Sequence, residues 1–171
     1  GVSSPKTITA YTGLEALTHA VESYTSRRAQ PLTVSLSLAA VKRIFKYLVR
    51  AYNDGGDLEA RGEMSIAALE AGISINNASV TLVHGMSRPI GAMFHVPHGL
   101  SNAMLLPDCI EFACGAAPDR FAELARIAGV AAPHTEDAVA AELFVEALRE
   151  ICRQCDIPTL REYGIDKDKF Y

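Results

Sequence analysis

Three of the five histidines, His84, His95 and His98, fall within one fifteen-residue stretch. A fourth, His19, follows Glu15 by four positions. Residues four apart on a helix share a face, so Glu15 and His19 can offer a carboxylate oxygen and an imidazole nitrogen to one ion. The same spacing is common in solvated surface pairs, and it does not choose between the two. His84 and His98 are fourteen residues apart. On one continuous helix that separation is about 21 Å of axial rise, too far for one ion to bridge. Pro89, Gly91 and Pro97 lie between them and permit the chain to reverse. Each of the two histidines is followed directly by glycine, in Val83-His84-Gly85 and Pro97-His98-Gly99. Glycine lets a backbone or a ligand come close at that point. Two imidazoles and one carboxylate leave coordination positions open for an alcohol or water, as catalytic Fe(II) or Zn(II) sites do.

The elements that must position these groups read as helix after helix. Ser4-Pro5 is a start signal, with Ser4 as cap and Pro5 at the first helical position. Gly13 interrupts that helix or begins the next. Leu14, Leu17, Val21 and Tyr24 are spaced as one helix face requires. Gln30-Pro31 punctuates, and a long helix is expected from about Leu32 to Tyr52, with Leu36, Ala39, Ala40, Ile44 and Leu48 apolar. Asn53-Asp54-Gly55-Gly56 is a turn cluster. A further helix is expected from about Asp57 to Asn76, carrying Met64, Ala67, Ala68, Ala71 and Ile75. Val80 to Val83 fits a short strand or a buried helix equally. Pro97-His98-Gly99 opens an apolar run to about Leu106. Asp119 to Ile127 and Glu136 to Cys155 are amphipathic helices, the second capped by Thr135. The fold class expected is all-α, a single helical domain over residues 1–171.

Composition narrows the function. The chain has 171 residues, 49% of them hydrophobic, enough for one domain with a real core. The net charge is −4, so nucleic acid is not an expected partner. The Arg27-Arg28 and Lys42-Arg43 pairs are isolated and read as solvated helix faces. Cys152 and Cys155 form a C-x-x-C inside a helical run, which reads as two partly buried thiols. A redox or zinc role would need a βαβ context or a second pair. With Cys109 and Cys114 they do not make a disulfide framework, so a reducing, cytoplasmic compartment is expected. No apolar stretch reaches membrane-spanning length. Gly1-Val2-Ser3-Ser4-Pro5 is not a signal peptide and does not read as a natural beginning. Asp166-Lys167-Asp168 signals another helix start just before the last residue. A domain cut at both ends is therefore expected.

Two stretches resemble the signatures of the iron-containing (group III) alcohol dehydrogenase family. The first is Thr12-Gly13-Leu14-Glu15-Ala16-Leu17-Thr18-His19-Ala20-Val21-Glu22. The second runs from Val83-His84-Gly85-Met86 through Pro97-His98-Gly99-Leu100-Ser101-Asn102-Ala103. The resemblance covers essentially the whole chain. It implies the helical, metal-binding C-terminal half of a two-domain enzyme, of a type related to dehydroquinate synthase. NAD or NADP would then sit mainly on a Rossmann-like N-terminal domain. It implies a metal held at Glu15, His19, His84 and His98. The implied reaction is reversible hydride transfer between an alcohol and a nicotinamide cofactor, with small alcohols and aldehydes as substrates.

Two positions depart from the family pattern. Position 15 is Glu where the family usually has Asp, which moves the ligating oxygen by one methylene. Position 88 is Arg where many members have a catalytic His. Arg stays charged and cannot shuttle a proton near neutrality, so Arg88 is expected either to contact an anionic substrate group or cofactor phosphate, or to be a salt-bridged surface residue. His95 is the remaining titratable candidate, as a proton relay or as part of the cleft wall. No Gly-rich strand-to-helix loop for a pyrophosphate is found, so these 171 residues alone are not expected to bind a dinucleotide well. An apolar cleft face would favour self-association, and a homo-oligomer is expected. The alternatives are a maleylacetate-reductase-like or hydroxyacid–oxoacid transhydrogenase-like activity on a carboxylated substrate, and a non-catalytic metal-binding or assembly domain.

Overall fold

The computed structural model describes residues 5–77, 88–89 and 91–164. Among the described residues, six helices of ten residues or more follow one another: α1 (Lys6–Thr25), α2 (Pro31–Asn53), α3 (Leu58–Asn76), α4 (His98–Cys114), α5 (Pro118–Ile127) and α6 (Asp137–Gln154). Among the described residues there is no strand, and no helix is long and apolar enough to cross a membrane. The stretch 80–83, His84 and the segment 166–168 lie outside the described residues.

α1 is the central helix, packed against α2, α3 and α4. Leu14, Leu17 and Val21 are fully buried, and Ala10, Ala16 and Ala20 bury other sides of the same helix. A helix apolar on several sides belongs inside a bundle rather than on its surface. Gly13 does not interrupt it. A Cβ at Gly13 would stand 2.4 Å from Leu48 Cδ1, so glycine there admits the close α1–α2 crossing. That contact offsets the roughly 0.5–1 kcal/mol that a mid-helix glycine costs. The expected start is also shifted: Pro5 is the cap residue and Lys6 the first helical residue.

Pro31 begins α2, whose first turn is closed by a reciprocal contact between Gln30 and Thr33. Asp57 caps α3, accepting from the Ala60 N–H at 3.0 Å. α2 and α3 meet through small buried residues of α3, Ala67, Ala71 and Ser74. Ala68, an expected core position, is exposed instead. Arg43, expected on a solvated face, is half-buried and joins the two helices by pairing with Glu63 and Glu70. Lys42, Arg27 and Arg28 are exposed.

α5 and α6 form a hairpin around Phe121, Leu124, Phe144 and Leu148. Glu136, not Thr135, occupies the cap position of α6. α4 packs between α1 and α6 and runs well past the expected end near Leu106, with Pro107 inside it. Proline has no N–H to give the carbonyl four residues earlier. That carbonyl, Ala103 O, accepts from the Cys152 thiol at 3.6 Å. Cys152 therefore fills a gap in the α4 hydrogen-bond ladder. Cys155 lies just past the end of α6, and both thiols are fully rather than partly buried.

Candidate metal centre

Glu15 and His19 sit one turn apart on the α1 face that α2 and α3 leave uncovered. Their neighbours Leu14, Ala16, Leu17 and Thr18 are buried, so core packing fixes where these two side chains emerge. His98 is the first residue of α4. The crossing of α4 over α1 is set by Gly99, where a Cβ would stand 2.9 Å from Tyr11 Cβ and 3.4 Å from the Tyr11 carbonyl oxygen. Tyr11 is one turn before Glu15, so this close approach delivers His98 to the Glu15 carboxylate. The close approach expected of Gly after His is seen at Gly99, which lies against the Tyr11 Cβ and backbone.

Glu15 Oε1 lies 3.5 Å from His98 Nε2 and 3.8 Å from His19 Nε2. Both separations exceed an ordinary N–H···O hydrogen bond. Two N or O atoms bound to one divalent ion at about 2.1 Å in a tetrahedral arrangement stand about 3.4 Å apart. The observed spacings are somewhat wider than that, and one carboxylate with two imidazoles is a donor set of the kind that suits Fe(II) or Zn(II). All three side chains are partly exposed, so a cation can reach them. Among the described residues no group of three or more His, Cys, Asp or Glu is placed to hold a metal ion. Glu15 is the common neighbour of the two histidines, and His84, the fourth expected ligand, lies outside the described residues.

The other two expected site residues stand near this corner in sequence. Arg88 is exposed. His95 is exposed and left-handed, with φ of 56°. It joins the helical turn 91–94 to the start of α4. Asn102, one turn into α4, is a site residue that the reading of types and spacings does not single out. It is fully buried, its Nδ2 lies 3.3 Å from His98 Nε2, and its Oδ1 has no hydrogen-bond partner. The spacing of four from His98 was the available signal, hidden because buried asparagines are not distinguishable from surface ones by sequence. The neighbouring Ser101 Oγ is also buried and unpartnered.

The thiols are removed from this chemistry. Burial and the Asp108 charge push Cys109 up to about 11. Burial and neighbouring acids raise Cys114 and Cys155 to about 11, and burial raises Cys152 to about 12. Such groups stay protonated near neutrality and are neither nucleophiles nor ready metal ligands.

An NADPH-dependent butanol dehydrogenase from Clostridium saccharobutylicum is 36% identical over 167 residues, covering 97% of this chain and 42% of its own length. A 1,3-propanediol dehydrogenase from Citrobacter freundii is 36% identical over 170 residues, covering 99% of this chain and 44% of its own. The solved structure of an alcohol dehydrogenase from Oenococcus oeni superposes with a TM-score of 0.94 at 37% identity, over 99% of this chain and 44% of that one. The chain thus spans less than half the length of these relatives. Residues 9–171 match the C-terminal part of the Fe-containing alcohol dehydrogenase family, and the chain belongs to that family.

Proposed function

We propose that residues 1–171 are the metal-binding catalytic domain of a metal-dependent, NAD(P)-linked alcohol dehydrogenase. The observation that carries this reading is the position of Glu15 Oε1, 3.5 Å from His98 Nε2 and 3.8 Å from His19 Nε2. Glu15, His19 and His98 would hold a divalent cation together with His84. Bound there, Fe(II) or Zn(II) would polarise a substrate oxygen, while a nicotinamide cofactor exchanged the hydride. The Glu15 carboxylate would offset part of such an ion's charge, and the three neutral imidazoles would leave the net charge positive enough to attract an alkoxide. His95, which is exposed, would serve as the proton relay to water. The dinucleotide would be held mainly by residues outside these 171, and the chain by itself is expected to be inactive. The NADPH dependence named for the Clostridium relative favours a nicotinamide cofactor. Four free thiols fit a reducing, cytoplasmic setting, and a homo-oligomer is the expected assembly.

The test is cation uptake by the 171-residue chain. One equivalent of Zn2+ or Fe2+ is expected by elemental analysis after dialysis, and His84→Ala and His98→Ala should each abolish it. Uptake unchanged in both variants would sink the reading. Arg88 favours a second reading, in which a carboxylated substrate replaces a neutral alcohol, because its exposed guanidinium can pair with an anion. In the full-length enzyme, Arg88→Ala should then lower the rate on carboxylated substrates relative to neutral ones. An unchanged ratio excludes it.

A further inference from the structure

We propose that α2 of one copy docks along α4 and α6 of a second copy, with Lys42 and Lys46 set against Glu142 and Glu146. This gives the homo-oligomer expected above a contact surface, and it does not depend on the metal-binding reading.

α2 contains no Asp or Glu, and its cations are Lys42, Arg43, Lys46 and Arg50. Arg43 pairs with Glu63 and Glu70, and Arg50 with Asp57 and Glu59, all on α3 or at its cap. Lys42 and Lys46 are exposed and make no ion pair among the described residues; Lys46 Nζ lies over the Tyr47 ring, 5.1 Å from its centroid. α6 carries the opposite remainder. Asp137 pairs with Arg126, Glu150 with Arg153, and Arg149 with Asp108 and Glu111. Glu142 and Glu146 are exposed and make no ion pair among the described residues. Each remainder is two like charges four residues apart on a helix, about 6 Å along its axis. Two helices lying side by side bring such pairs opposite each other, whichever way they run. The chain's own α2 does not reach the acids. Phe144 faces α2, with its ring centroid 5.6 Å from that of Phe45. Glu142 and Glu146 stand two residues either side of Phe144, about 160° around the helix from it. They therefore face away from α2, and only a second copy can bring lysines to them.

Exposed ion pairs alone contribute little, and an apolar footing lies beside these. Glu142 and Glu146 edge a groove of about 740 Å3 that Cys114, Pro118, Ala141 and Val145 also line. Arg149 lines it too, but Asp108 and Glu111 hold that charge, so the groove stays acidic. Phe112, in the last turn of α4 and next to Glu111, is 80% exposed, more than any other large apolar side chain described. An aromatic of this kind carries much of an interface's energy once covered. On α2, Leu32, Ser35 and Ala39 continue the stripe of Lys42 and Lys46 at spacings of three and four. Leu32 is 69% exposed, so the face that bears the lysines also offers an apolar side chain and two small ones. Apolar contact then supplies the affinity, and the two charge pairs set the register and the choice of partner.

Sedimentation velocity of the 171-residue chain reads the contact. At low ionic strength the wild type should show species heavier than a monomer, and these should dissociate in about 1 M salt, where the screening length is only about 3 Å. Lys42→Glu with Lys46→Glu makes both faces acidic, and Glu142→Lys with Glu146→Lys makes both basic. Each double variant alone should sediment as a monomer. Mixed in equal amounts they should associate again, because the acidic α2 of one meets the basic groove of the other. All four positions are exposed, so circular dichroism of both variants should match the wild type. A monomeric wild type, association indifferent to salt or to either charge reversal, or a mixture that stays monomeric overturns the proposal. None of the four is a proposed metal ligand, so cation uptake tests the metal-binding reading separately, whichever way the sedimentation falls.

Discussion

The α1–α4 corner and the α5–α6 hairpin differ in how they are built. In the hairpin, Phe121, Leu124, Phe144 and Leu148 form the buried side. Arg126 bonds the Thr135 carbonyl at 2.6 Å and Asp137 at 2.8 Å, tying down the connecting loop, while its Nε is buried without a partner. In the corner, Ser101 Oγ and Asn102 Oδ1 are buried without partners, and imidazoles crowd a carboxylate. His95 beside it adopts a left-handed backbone, uncommon outside glycine. Glycine at position 99 is demanded by backbone contact. Both regions thus hold a buried polar atom without a partner, and the corner adds the left-handed His95 and the close Gly99–Tyr11 approach. The lesson is that the hairpin rests on apolar packing, whereas the corner gathers polar groups where two helices cross.

The largest test of that division is alkaline pH, because all four thiols lie on or beside α4 and α6. Each has a folded pKa of about 11 or 12, above the ordinary 9.0. The unfolded chain therefore loses these protons first. The stabilisation is complete below pH 9 and is lost as pH climbs through 11 towards 12. Tyr52, bonded to Asp156 and raised to about 12, adds to the same loss. Thermal melts from pH 8 to 11 should fall steadily, and a flat profile would contradict the burial of the thiols.

Next comes Phe144→Ala, which empties a fully buried site that touches the Phe45 ring with centroids 5.6 Å apart. Urea unfolding should show a loss of about 3–5 kcal/mol. Cation stoichiometry of the folded fraction should not change, since no corner residue is touched. A lost cation would show that the two regions are not separate.

Gly99→Ala should cost about 1–3 kcal/mol through overpacking against Tyr11. Unlike Phe144→Ala, it should also weaken cation binding, because α4 must move and His98 with it. Gly115→Ala at the other end of α4 meets nothing closer than 3.6 Å and serves as the control. Equal effects at the two glycines would remove the argument that Gly99 sets the site.

The smallest effect is expected at Cys152. Cys152→Ala removes the donor to the Ala103 carbonyl left open by Pro107 and should cost about 1 kcal/mol beyond its packing loss. Cys152→Ser, which keeps a donor, should recover most of that increment in the same unfolding measurement. Identical losses in the two variants would mean the thiol merely fills space.

Much of the fold was legible because it is written in local periodicity. Leu14, Leu17, Val21 and Tyr24 fall on one buried face of α1, and the turn at Asp54–Gly56 separates α2 from α3 as its residues require. The helix-after-helix reading needed nothing beyond this. Gly13 misled because, taken alone, it argues for a break, yet the close approach of Leu48 gives it a place inside the helix. Arg43 misled similarly, since nothing in its own stretch announces Glu63 and Glu70.

The sequence by itself determined the helices, the candidate ligands Glu15, His19 and His98, and the face shared by the first two, because a period of 3.6 residues is a local property. Only the tertiary structure decided that His98 reaches Glu15 across the Gly99–Tyr11 contact, and that Asn102 is buried behind it. Such meetings depend on how two helices cross, and a crossing is set by the side chains of both partners together rather than by either stretch of chain.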